Sequence, residues 1–356
     1  MKSLFEPLVF RTGLVAPNRV VLAPMTNKQS HVDGSIGDDE VRWLISRAQG
    51  GFGTVMTCAA HVAEDGQGWP GELGIHDDAL LPGLTTLATA LHAAGAVAMV
   101  QIFHGGARAD RTVIRGEPWS ASDGEGIRAA TEEDLVRVTA QFAAAALRAK
   151  RAGFDGVEIH GAHGYLLTQF LSSTQNQRVD QWGGSLENRA RLARDVVRAV
   201  RSAAGPAFTV GIRLSPEDFG NARGLDLDES VEIARWLAAD GADFVHVSLW
   251  HALANTKKRP LEHALPLFRA ALPTDVALLT AGTIWTRTEA DELLARGADG
   301  IALGRAAIVN PDWPRRASDP MWQPKRPPVT IAELRERGLG QSFAEYMRSW
   351  KNFVTD

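Results

Sequence analysis

Two imidazoles and a phenol stand close together in the segment His160-Gly161-Ala162-His163-Gly164-Tyr165. Two histidines three apart could share a helical face and bind zinc. The only nearby third ligand is Glu158. On a strand it shares a face with His160 but sits roughly 6–7 Å deeper, which is awkward for one tetrahedral centre. A pair of N–H donors is the preferred reading. Aimed at a carbonyl or another electron-withdrawing oxygen, such donors stabilise the negative charge that builds there as hydride is added. Tyr165, a phenol with a reference pKa of about 10, is protonated at neutral pH and can deliver a proton to a carbanion-like carbon. The plain alternatives are core histidines and a packing tyrosine.

A second group of residues suits a phosphate. Gly282 follows the apolar run Leu278-Leu279-Thr280-Ala281, and Gly304-Arg305 follows Ile301-Ala302-Leu303. Glycines at such turns let backbone N–H groups approach phosphate oxygens, and Arg305 adds a bidentate charged donor. Tight turns plus a surface arginine are the alternative. Arg213 ends Val210-Gly211-Ile212. It can stabilise negative charge on a reduced ring or form a salt bridge. Gln101 can satisfy a pyrimidine edge, and Thr26 can hydrogen-bond a ring carbonyl or nitrogen. For both, a surface or turn hydrogen bond remains open.

The elements that must position these groups alternate short apolar runs with longer amphipathic ones, the pattern of repeated βα units. Eight strands are expected, at Arg19–Pro24, Thr54–Ala59, Ala96–Ile102, Gly156–His160, Phe208–Leu214, Phe244–Ser248, Ala277–Ala281 and Gly300–Leu303. Helices are expected at Asp38–Ala48, Leu81–Ala93, Glu132–Arg151, Glu187–Ser202, Asp228–Ala239, Leu261–Ala270 and Thr286–Ala295, with a short turn after Gly304. Asp226–Glu229 and Thr286–Glu289 match the residue pattern of capping boxes. Eight units imply α/β architecture closed as a (β/α)8 TIM barrel, and 1–356 is taken as one domain. The alternative is an open doubly wound sheet. We read no dinucleotide-binding glycine turn after an early strand, so no Rossmann domain is expected for a nicotinamide cofactor.

Barrel sites lie at the C-terminal strand ends. Those ends bring Thr26, Ala59, Gln101, His160 with His163, Arg213, Ser248, Gly282 and Gly304 with Arg305 into one ring. The set suits a polar planar ligand carrying a phosphate. Outside the repeat, residues 1–18 are expected to cap the barrel bottom. Residues 104–130 form a long connection after strand 3, read equally as a lid or a surface excursion. An amphipathic helix near Ile331–Trp350 could close the barrel or pack on a partner chain, so a homodimer is open.

Composition narrows the classes. The net charge of −4 and the absence of a basic stripe argue against nucleic acid and an anionic membrane. One cysteine, Cys58, excludes an internal disulfide framework and a four-cysteine metal site within the chain, and fits a reducing cytoplasm. Glu6, Pro7 and Arg11 interrupt any apolar leader, so no signal peptide is expected. No apolar run approaches the roughly 18 residues that span a bilayer. No metal site is expected.

The chain resembles the Old Yellow Enzyme family of NADH:flavin oxidoreductases. The resemblance rests on Asn18-Arg19, Ala23-Pro24-Met25-Thr26 and Gln101-Ile102-Phe103-His104-Gly105-Gly106-Ala107-Arg108. Its most specific stretch runs from Gly153 through His160, His163 and Tyr165 to Ser172, followed by Asn176-Gln177-Arg178 and Gly183-Gly184-Ser185-Leu186-Glu187-Asn188-Arg189. It implies non-covalent FMN, reduction by NAD(P)H, and reoxidation by an activated C=C bond in an unsaturated carbonyl, nitroalkene or imide. It further implies that His160 and His163 bind the activating oxygen and that Tyr165 is the proton donor. Pro24, Met25, Thr26, Ala59, Gln101, His160 and Arg213 match ring-binding positions; Gly282, Gly304 and Arg305 match phosphate positions.

Three departures stand out. Threonine at position 26 resembles the branch without cysteine there. Lys28 lies where some relatives place a tyrosine over the substrate, which implies a more polar pocket roof. Trp182 replaces a usual tyrosine. Relatives with an iron–sulfur cluster need a cysteine set that this chain lacks. The competing readings are another FMN-barrel oxidoreductase with a different acceptor, and a non-catalytic flavin-binding protein.

Overall fold

The computed structural model describes residues 2–355. Eight parallel strands close on themselves: β1 Val20–Leu22, β2 Thr54–His61, β3 Val97–Phe103, β4 Gly156–Gly161, β5 Thr209–Leu214, β6 Phe244–Ser248, β7 Ala277–Ala281 and β8 Gly300–Leu303. Each pairs with its sequence neighbours, and β8 and β2 both pair with β1, which removes every edge. Helices α1 Asp38–Gln49, α2 Leu81–Ala93, α3 Glu132–Arg151, α4 Leu186–Ala204, α5 Leu227–Ala239, α6 Ala264–Ala271, α7 Arg287–Ala295 and α8 Arg305–Val309 follow the strands in turn. The eight expected strands and seven longer helices are all present. A short helix at Leu166–Leu171, between β4 and α4, went unread.

Strand alternation sorts the apolar residues into two clusters. Val20, Leu22, Val55, Val100, Val157, Ile212, Val245 and Leu303 face outward and pack under the helices. Val21, Met56, Met99, Phe244, Leu279 and Ala302 belong to the interior cluster. Leu8 and Ala16, from an antiparallel pair Leu8–Val9 and Val15–Ala16, and Phe10 just after its first strand join that interior cluster, with Phe10 5.7 Å from Phe244. Residues 1–18 were expected to cap the barrel bottom, and this pair does so.

Local capping differs in one place from the reading above. Thr286 and Glu289 form the full reciprocal box, as do Thr131 with Asp134 and Thr330 with Glu333. Asp226 accepts from the backbone of Asp228 and Glu229, but the Glu229 carboxylate turns away to Arg189 at 2.6 Å, so only half a box forms. Contrary to the reading of the sequence, the spacing G-x-G-x-x-G does occur, at Gly66-Gln67-Gly68-Trp69-Pro70-Gly71. It opens no helix. It links a 3-10 turn, Glu64–Gly66, to a short strand, Leu73–Gly74, so the reading of no Rossmann turn stands on geometry.

The long connection after β3 is anchored rather than free. Trp119 is buried and donates to Asp65 at 3.0 Å, and Ser120 donates to Gln169 at 2.8 Å. The tail is not one helix. It breaks at Gly338 (φ +87°) and continues as Ile331–Glu336, Gln341–Tyr346 and a 3-10 turn Met347–Ser349. Phe343 packs edge-on against Trp43 of α1 at 5.1 Å, so the tail closes onto its own barrel. No helix among the described residues is long and apolar enough to cross a membrane.

On β5, Gly211 leaves a gap in the interior that the Phe244 ring fills; a Cβ there would lie 2.2 Å from that ring. Gly211→Ala is expected to destabilise the protein by about 2 kcal/mol, read as a lower midpoint in chemical denaturation.

Candidate active site

Above the apolar interior layer, the inward positions of β3 to β6 become polar. Gln101, Glu158, His160, Arg213 and His246 are all buried on four adjacent strands. Register pairs Gln101 with Glu158, and Arg213 with both His160 and His246. Burial pushes the Glu158 carboxyl up, but His246, Arg213 and Gln101 outweigh it and hold the group below its ordinary range. Glu158 is therefore ionised. Burial and neighbouring positive charge hold His160 and His163 well below the usual imidazole range, so both are neutral.

At the mouth lies a cavity of about 510 Å³, lined among others by Pro24, Met25, Thr26, His163, Tyr165 and Arg213. Gly282, Gly304 and Arg305 line its other end. His160 is in ring contact with two of the lining residues, His163 at 5.0 Å and Tyr165 at 5.2 Å. The Ala162 N–H donates to His160 Nδ1 at 3.2 Å, which places the His160 proton on Nε2. The Ser248 hydroxyl bridges His163 Nε2 at 2.8 Å and Arg213 at 3.0 Å. Tyr165 packs edge-on against Phe103 at 4.5 Å. Burial raises the Tyr165 pKa, and Arg108, whose guanidinium lies 4.1 Å from the ring, opposes that rise.

Gln101 and Ala59 do not line the cavity. Gln101 lies in the buried layer, and Ala59 packs in the cluster of Trp69 and Phe103 against which Tyr165 rests. Lys28 does not line it either. Its ammonium lies 5.1 Å from the ring of Tyr346. The expected lysine roof is thus replaced by Tyr346, with Phe343, Met347 and Trp350 from the tail. Arg108, Tyr346, Trp250 and Trp350 were not read as site residues. The tail's aromatic content was the available signal for two of them.

The glycine turns fit a phosphate. Gly282 adopts φ +147°, and a Cβ there would lie 1.9 Å from the Leu249 carbonyl oxygen. Gly304 has Met25 Sδ 3.3 Å from its Cβ position. Arg305 is half-buried, donates to the neutral Thr283 hydroxyl at 2.7 Å and makes no ion pair among the described residues. Arg213 Nε is buried without a partner. A half-buried cation without a carboxylate beside a glycine cradle, and a partnerless guanidinium N–H on a residue that lines the cavity, suit the phosphate and ring of FMN. Among the described residues no group of three or more His, Cys, Asp or Glu could hold a metal ion.

Barrel, phosphate cradle and polar ring site are those of a flavin-mononucleotide oxidoreductase. Residues 3–322 match the NADH:flavin oxidoreductase / NADH oxidase family. The probable NADH-dependent flavin oxidoreductase YqiG of Bacillus subtilis (strain 168) is 39% identical over 326 residues, 88% of this chain and 87% of that protein. The solved Old Yellow Enzyme homologue from Zymomonas mobilis superposes with a TM-score of 0.83 at 28% identity, over 97% of this chain and 99% of that one. Morphinone reductase, solved in complex with tetrahydroNAD, gives 0.81 at 26% identity over 100% of this chain and 98% of that one. The chain belongs to the NADH:flavin oxidoreductase family and is an FMN-dependent NAD(P)H oxidoreductase of the Old Yellow Enzyme type.

Two outcomes follow from this geometry. Arg305→Ala is expected to weaken FMN binding by about tenfold or more, measured by titrating apoprotein with FMN. The second concerns acid. His61 is buried, and burial with the neighbouring His76 lowers its pKa to about 3; His160, His163 and His246 are lowered too. The unfolded chain therefore binds more protons than the folded one below its ordinary histidine pKa. Stability should be full above about pH 6.5 and fall as pH drops toward 3, measured as denaturation midpoint against pH.

Proposed function

We propose that the protein reduces activated C=C bonds, and that His160, His163 and Tyr165 handle the acceptor. The observation that carries this reading is the contact of all three rings, the two neutral imidazoles within 5.0 Å of each other and Tyr165 beside them, at a cavity that suits FMN. FMN bound there supplies hydride taken up from NAD(P)H. In this reading His160 donates from Nε2 to the activating oxygen, and His163, which lines the cavity, is the second partner. Because both imidazoles are neutral, they stabilise charge by hydrogen bonding and keep their protons. Tyr165 gives its phenolic proton to the carbon next to the activating group. Arg108, over its ring, steadies the phenolate left behind. Hydride and proton together saturate the bond.

Pro24, Met25, Thr26, Gln101 and Arg213 are proposed to hold the ring, and Gly282, Gly304 and Arg305 the phosphate. The acceptor class is an unsaturated carbonyl, nitroalkene or imide. The competing reading of a flavin holder gives no role to a buried phenol beside two donors.

The test is the visible spectrum of the purified holoprotein under anaerobic conditions. NAD(P)H should bleach the flavin and 2-cyclohexenone should restore it. Bleaching without restoration would redirect the search to another acceptor. Tyr165→Phe should leave bleaching by NAD(P)H unchanged and slow reoxidation by the enone about a hundredfold. Equal reoxidation rates for both proteins would remove Tyr165 from the mechanism.

A further inference from the structure

Beneath the cavity a buried hydrogen-bond chain centred on Glu158 links β3, β4 and β6. Glu158 Oε1 accepts from Gln101 Nε2 at 2.7 Å, and Glu158 Oε2 is 2.7 Å from His246 Nδ1. Glu158 and His246 are fully buried, and Gln101 and Arg213 nearly so. The link to His246 spans β5, which separates the two strands, and the register places Gly211 beside Glu158. The space a side chain would take there is occupied by the Phe244 ring, which packs below the link. Burial and Arg213 hold His246 neutral against the pull of Glu158. A neutral imidazole facing a carboxylate must carry its proton on Nδ1 and donate it.

Two consequences reach the ligand. First, the Gln101 amide cannot rotate freely. Its NH2 is committed to a carboxylate, which leaves its carbonyl oxygen as the free end of the amide, an acceptor for an N–H donor if the ring reaches down to this layer. A pyrimidine edge presents such a donor. Second, the Glu158 charge lies close enough to Arg213 to oppose the lowering of its pKa by burial. The positive charge that a ring above Arg213 feels is thereby partly cancelled.

We propose that Glu158, held by His246, is a positioning residue that fixes the Gln101 amide and moderates the charge that Arg213 would present to the isoalloxazine. It touches no substrate and acts through its two neighbours. The proposal rests on the assignment of Gln101 and Arg213 to the ring site. Moderating Arg213 disfavours the electron-rich reduced ring and so keeps it a stronger hydride donor.

The test is the midpoint potential of the holoprotein, measured by anaerobic reduction against an indicator dye, with the visible spectrum recorded alongside. Glu158→Gln removes the charge and retains the shape. Reduced FMN should then gain affinity relative to oxidised FMN by about tenfold, seen as a positive shift in potential. His246→Leu should shift it in the same direction. His246→Asn, whose amide nitrogen can occupy the place of Nδ1, should keep the wild-type potential. If Glu158→Gln does not fold, the two His246 variants decide. Wild-type potential and spectrum in both Glu158→Gln and His246→Leu would overturn the proposal, as would equal shifts in His246→Leu and His246→Asn. A wild-type protein that takes up FMN while these variants match it fails this inference alone; a wild-type protein that takes up no FMN fails the ring site itself.

Discussion

A closed barrel of eight strands has room inside for side chains and little else, so inward residues at one level must touch each other. At the lower levels they are apolar: Val21, Met56, Met99, Phe244 and Leu279. Over the next two levels the sequence places an amide, a carboxylate, a guanidinium and two imidazoles. Each ionised group taken from water costs several kcal/mol unless it is paired and hydrogen-bonded. The upper layer is tolerable because Glu158 meets Gln101 and His246 at once and stands near Arg213. Remove that carboxylate and Arg213 becomes an uncompensated cation in the core. Everything nearer the mouth sits on this layer: Arg213 holds Ser248, Ser248 meets His163, and His163 packs on His160.

The network is complete except where it faces the cavity or the barrel interior. Arg213 Nε and His246 Nε2 have no partner. Buried polar atoms rarely stay unsatisfied in a finished structure. The flaw at Arg213 borders the cavity itself. An N–H donor left over at that place suits a bound ring that carries acceptors.

Much of this was legible in the residues. Strands buried on both faces read as continuous apolar runs, and glycine stops at 152–156, 240–243 and 296–300 marked the helix ends before β4, β6 and β8. Once strands are placed, their C-terminal ends follow, and with them His160, Arg213 and the two phosphate turns. The tail was less legible. Its amphipathic pattern runs through Gly338 and Gly340, which break it into short pieces, and periodicity alone cannot weigh a positive φ against a continuing stripe. Tyr346 reaches the cavity only because Phe343 docks on Trp43, a contact between distant segments that no local pattern announces. The half-formed box at Asp226 failed for the same reason: Arg189, from another helix, took the Glu229 carboxylate.

Lys28 shows how a correct local observation can give the wrong spatial answer. Lysine at that position implied a more polar roof, with Lys28 itself in it. The backbone there turns left-handed (φ +55°), and the ammonium settles 5.1 Å from the Tyr346 ring rather than lining the cavity. A cation on an aromatic face keeps most of its hydration while stiffening the ring it covers. Tyr346 is held from the other side as well, since its hydroxyl interacts with Thr26 and Trp350, which oppose the rise in pKa that burial causes. The chain has two tyrosines, and both line this cavity. The roof is therefore polar through a neutral phenol, with the charge displaced behind it. A charge in the roof would compete with Arg213 in setting the field at the ring. With Lys28 displaced, the cations that line the cavity are Arg108, Arg213 and Arg305, and Glu158 opposes the charge of Arg213 from below.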